Sequence, residues 1–92
     1  MMNRIRKIRR LIIRVPKDKA NFVYYLLESH EGLLFHTTLD NDKQLGYRDI
    51  EMNGCLSLTN EINHLLEEMK TSANIEILSD QIITDSRDPN SI

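Results

Sequence analysis

The chain has 92 residues, of which 40% are hydrophobic and 28% charged, with a formal net charge of -2. That length supports one hydrophobic core and no second domain, since a chain of this size buries roughly 60 to 65% of its unfolded surface, and the apolar content argues against disorder. No apolar run approaches the roughly 18 residues of a bilayer span, and Met1–Arg10 lacks the apolar stretch of a signal peptide, so a cytoplasmic, non-membrane protein is expected.

Residues 10–15, RLIIRV, alternate Leu11, Ile13 and Val15 with Arg10, Ile12 and Arg14, the period of a strand with one buried face. Pro16 ends that strand and opens a helix, because proline's missing N–H is no loss in a first helical turn. The helix runs to about His30 with Ala20, Val23, Tyr24 and Leu27 as its core stripe, Phe22 and Leu26 flanking it, and Gly32 placed to end it. Residues 33–39 predict a second strand, with Leu33, Phe35, Thr37 and Leu39 on the buried side and Leu34, His36 and Thr38 opposite. A polar turn over Asp40–Gln44 leads into a returning strand, residues 45–52, whose change of phase predicts a β-bulge near Arg48.

Asn53 and Gly54 read as a turn, and Ser57 or Thr59 as the cap of a second helix. Leu58, Ile62, Leu65, Leu66 and Met69 recur at helical spacing, with Glu61, Glu67, Glu68 and Lys70 opposite. The run NIEILS supplies a last strand with Ile75 and Ile77 inward. From Asp85 the composition is polar, so residues 85–92 are expected to form a flexible tail after a single domain over 1–84.

The order β-α-β-β-α-β has one common compact solution, the ferredoxin-like α+β sandwich: a four-stranded antiparallel sheet with two helices on one face. Right-handed crossovers make the first and third strands central. The other face stays open, carrying Arg10, Ile12, Arg14, Leu34, His36, Thr38, Glu76 and Leu78, and such a face is suited to self-association or to a ligand.

Catalytic and metal motifs are missing. Asp40, Asp42 and Glu51 fall at the first, third and twelfth places of a calcium loop, but the sixth, which needs glycine, is Leu45, so a hairpin turn fits better. His30, His36 and His64 lack paired-ligand spacing, the lone Cys55 reads as a small hydrophobe without an internal disulfide, and Gly32, Gly46 and Gly54 are too scattered to cradle a phosphate. The expectation is therefore a non-enzymatic module without cofactor or bound metal.

Charge offers the one strong asymmetry: residues 1–20 hold eight basic side chains against Asp18, a net +7, which leaves -9 on the remainder. A basic N-terminal arm over residues 1–9 can neutralise phosphates, so nucleic-acid binding is the alternative reading, although the first strand offers Ile12 where a base-stacking aromatic is wanted.

The segment Leu27, Glu28, Ser29, His30, Glu31, Gly32, Leu33, followed by Thr37, Thr38, Leu39 and Asp40, resembles a family of short bacterial proteins of unassigned activity whose expected shape is similar to ACT domains. These ferredoxin-like modules dimerise and bind amino acids or other small effectors. The resemblance implies a homo-oligomeric regulatory or interaction module. It departs from ligand-binding ACT domains at Pro16, which is followed by Lys17, Asp18 and Lys19 where they carry glycine. A small anionic effector at the helix start near Lys17 and Lys19, with Arg10, Arg14 and His36 on the sheet, is the corresponding expectation.

Overall fold

The computed structural model describes residues 6–30, 32–39 and 46–85. In chain order the elements are β1 (Arg6–Pro16), a 3-10 turn (Lys17–Lys19), α1 (Ala20–Ser29), β2 (Leu34–Thr38), β3 (Tyr47–Cys55), a second 3-10 turn (Leu56–Leu58), α2 (Thr59–Ala73) and β4 (Glu76–Asp85). The strands form one antiparallel sheet in the order β2-β3-β1-β4. With both helices on one side of it, this is the expected ferredoxin-like α+β sandwich, and β1 and β3 are the central strands. No helix among the described residues is long and apolar enough to cross a membrane.

The core forms because alternation and helical periodicity converge on one layer. Leu11, Ile13 and Val15 of β1 and Ile50 and Met52 of β3 are fully buried beneath Val23 and Leu27 of α1 and Ile62, Leu65 and Met69 of α2. Gly54 completes the fit: a Cβ there would sit 2.7 Å from Cδ1 of Ile62 and 3.1 Å from the carbonyl oxygen of Leu33. The missing side chain lets α2 settle onto the sheet. Asn74, in the left-handed region at φ 54°, turns the chain from α2 toward β4, a conformation asparagine tolerates better than most residues.

Several sequence expectations are corrected. Asn53 and Gly54 lie inside β3 and make no turn, and β1 and β4 are longer than their apolar cores, beginning at Arg6 and ending at Asp85. The phase of β2 is reversed: Leu34 is buried whereas Phe35 is 82% exposed, and Leu39 is only partly buried. Leu34 and Phe35 are both large and apolar, so alternation alone does not choose between them; Leu34 wins by packing against Gly54, its partner on β3.

No bulge interrupts β3 near Arg48, where the register with β1 is continuous; the shift lies instead between Ile12 and Ile13 opposite β4, with Leu78 as the extra residue. Neither Ser57 nor Thr59 caps α2, whose cap position is Leu58. Pro16 closes β1, and α1 begins only after the 3-10 turn, at Ala20. Cys55 is exposed at the end of β3. The turn over residues 40–44, the tail beyond Asp85 and residues 1–5 of the basic arm lie outside the described residues.

Candidate functional site

The open face of the sheet is built by strand alternation. Arg10, Ile12 and Arg14 point away from the helices, and their β3 partners across the ladder are Asn53, Glu51 and Asp49. Cross-strand neighbours on one face lie close enough for ion pairing. Arg14 takes Asp49 in a two-pronged pair, with Nε donating to Oδ1 at 2.9 Å and the second guanidinium nitrogen donating to Oδ2 at 3.1 Å. Its guanidinium also sits 3.8 Å from the centre of the Tyr47 ring, a cation–π contact. Arg10 donates to Glu51 at 2.8 Å, and the Asn53 amide donates to the same carboxylate oxygen.

These contacts balance the charge of the face. Each arginine is met by a carboxylate on the next strand, and Asp49 is 8% exposed, a burial that its guanidinium partner makes tolerable. Hydrogen bonding to Asp49 raises the pKa of Arg14 above the usual arginine range. Phe35 stands on the same face, opposite Asn53.

At one end of this face, the N–H of Lys17 donates to the carbonyl of Gly46 at 2.9 Å and the N–H of Leu39 donates to that of Asp49 at 2.8 Å. The first ties the exit of β1 to the start of β3, and the second closes the base of the β2–β3 connection. Lys17 and Lys19 are exposed here, and Arg48, the ladder partner of buried Val15, is half-buried on the helix side of the same end; among the described residues none of the three has a carboxylate partner. At the other end, a groove of about 560 Å³ runs around the sheet margin between Ile8, Leu33, Phe35, Cys55, Leu58 and Ile83.

Of the residues expected to bind, Arg10 and Arg14 share the open face, and Lys17 and Lys19 follow it at the loop end. His36 does not join them. It pairs with Met52 on the helix side, its ring centre 6.0 Å from that of Tyr24, whose hydroxyl hydrogen-bonds to Thr38. The reversed phase of β2 explains the miss. Only the strand register shows that Asp49 lies opposite Arg14 and that Glu51 and Tyr47 lie diagonal to Arg10 and Arg14.

Arg9, at the end of the expected basic arm, lies within β1 on the helix side. It forks onto Asp80 at 3.0 and 2.8 Å and donates to Thr59 and Asn63 of α2. These bonds hold the carboxyl of Asp80 below the usual carboxylate range.

Among solved structures, this arrangement is similar to CPII, a nitrogen regulatory PII-like protein from Thiomonas intermedia K12. In its form bound to ADP, AMP and bicarbonate the TM-score is 0.61 at 12% identity, covering 92% of this chain and 99% of that one. In its form bound to ADP, AMP and acetate the TM-score is 0.56 at 11% identity, covering 92% and 94%. The chain has the fold of a PII-like protein. At such identity the fold is what is shared, and it is the coarse shape that the ACT-like resemblance implied. No family model and no curated protein matches the sequence.

Proposed function

We propose that the chain is a small regulatory module that acts by binding: copies associate through the open sheet face, and an anionic effector is taken where β1 and β3 meet at the loop end. The observation that carries this reading is the uncovered face itself, charge-balanced by Arg10–Glu51 and Arg14–Asp49 and bearing Phe35 at 82% exposure. A face whose cations are already paired is poorly suited to a polyanion but well suited to a second copy of itself, since its ion pairs need not be separated on contact. The nucleic-acid alternative is weakened because Arg9, Arg10 and Arg14 are engaged by carboxylates.

The effector half of the reading rests on Lys17, Lys19 and Arg48, cations without a described carboxylate partner beside a backbone-pinned loop base. Lysine and arginine side chains are the usual hydrogen-bonding partners of phosphate groups. The likeness to a PII-like protein solved with ADP and AMP supports a nucleotide as the first compound to try.

Sedimentation at tens of micromolar tests the association: a species heavier than the 10.8 kDa chain is expected, and a strict monomer overturns it. For the effector, ADP or AMP should raise the melting midpoint by mass action, and the triple change Lys17→Ala, Lys19→Ala and Arg48→Ala should abolish the rise. No response to either nucleotide removes the nucleotide part of the reading and leaves the association untouched.

A further inference from the structure

β4 is an edge strand of ten residues, twice the length of β2 at the opposite edge. A long strand edge presents unpaired N–H and C=O groups, and proteins that keep such an edge solitary commonly protect it with lysine, proline or inward charges. Residues 76–85 contain neither lysine nor proline; the one inward charge, Asp80, is paired with Arg9, and the bulge at Leu78 leaves residues 79–85 in regular register. Counting by twos from the Leu11–Asp80 pair, Leu78, Asp80 and Ile82 project toward the helix side of the edge, beyond the cover of α2. Leu78 is 40% and Ile82 59% exposed, two of the five large hydrophobic side chains left exposed among the described residues.

These two apolar residues flank Asp80 symmetrically. We propose that β4 pairs antiparallel with β4 of a second copy about a two-fold axis through Asp80, joining two sheets edge to edge. Leu78 of each copy then lies opposite Ile82 of the other, so both exposed side chains are covered by one contact. Moving the axis to Gln81 would set Ile82 against Asp80, and moving it to Ile82 would leave Leu78 without a described partner. Among these, only the Asp80 axis gives both exposed side chains an apolar partner among the described residues.

The register brings two aspartates together, which ordinarily disfavours a strand pair. Here each carboxylate is already neutralised by its own Arg9 at 2.8 Å, and that guanidinium is anchored to α2 and need not move. The shift at Leu78 bounds the regular ladder, so the contact spans residues 78–82, close to the length of an ordinary strand pairing of about 5 to 6 residues. A two-fold contact of this kind is closed and adds one copy only.

The edge contact is separate from association through the open face, and the two are told apart by sedimentation of three variants. Phe35→Lys charges the open face and Ile82→Lys charges the edge, with Leu78→Lys as a second edge change should Ile82→Lys lower the melting midpoint. Phe35→Lys is expected to remain a dimer, and Phe35→Lys with Ile82→Lys to show half that mass. A monomeric Phe35→Lys protein of unchanged melting midpoint, or an edge change that leaves its mass the same, overturns the edge contact. A Phe35→Lys protein with wild-type mass counts against the open-face reading alone.

The register has its own readout in a Cys55→Ser background: Leu78→Cys and Ile82→Cys proteins should cross-link when mixed and not when separate. Self-cross-linking of either one alone overturns the Asp80 axis.

Discussion

β1 carries arginines on both faces of the sheet, and the two faces use them differently. On the helix side, Arg9 has a side chain only 13% exposed and joins β1 to β4 through Asp80 and to α2 through Thr59 and Asn63. On the open side, Arg10 and Arg14 are 38% and 35% exposed, and each reaches one carboxylate on one neighbouring strand. The same residue type, one step apart on a strand, is a clamp between layers on one face and a surface pair on the other. Connectivity and burial decide which role an ion pair takes, since solvent-exposed pairs contribute little and enclosed ones are hard to replace.

The largest effects belong on the helix side. Leu65→Ala, at a side chain 2% exposed beneath α2, should destabilise by about 2 to 5 kcal/mol in chemical denaturation, the cost of a cavity in a small core. Gly54→Ala forces a methyl within 2.7 Å of Ile62 and should cost about 1 to 3 kcal/mol; an unchanged denaturation midpoint would remove the close-packing account of that glycine. Arg9→Met leaves Asp80 without its partner and separates three elements. Because solvent still reaches Asp80, about 1 to 2 kcal/mol is expected.

The smallest effect belongs on the open face, where Arg10→Met should change stability by less than about 1 kcal/mol. Equal losses for Arg9→Met and Arg10→Met would erase the distinction between the two faces. The pH dependence sharpens it further. The carboxyl of Asp80 is held below its unfolded value by the bond to Arg9, so its stabilisation is fully present above the unfolded carboxylate pKa of about 3.9. It is lost as the pH falls through the lower folded value. An Asp80→Asn protein should show a shallower decline of melting midpoint below about pH 4 than the unaltered chain.

Element order, the antiparallel sheet and most of the core were legible in the sequence, because Leu11, Ile13 and Val15 alternate cleanly and Ile62, Leu65, Leu66 and Met69 keep helical spacing. Three places misled for identifiable reasons. Leu33, Leu34 and Phe35 are consecutive apolar residues, and a run without alternation carries no phase. Gly54 suggests a turn by composition, whereas tertiary crowding by Ile62 is what requires it. The strand ends of β1 and β4 are polar, so pairing extends them beyond the apolar pattern. Of the site, the arginines were visible, but Asp49, Glu51 and Tyr47 reach them only through the register of two strands whose paired residues lie more than thirty positions apart.

Leu78 has a further consequence for how the chain tolerates changes of length. Removing it would leave Ile13 opposite Ile77, Arg14 opposite Glu76 and Ile12 opposite Ser79, the same partners as now, in an uninterrupted ladder. Removing either neighbour of Leu78 would instead put leucine in place of isoleucine against Ile13, or shift the serine opposite Ile12. Leu78 is a spare letter in the strand, and a variant lacking it spells the same inner pairing with one residue fewer.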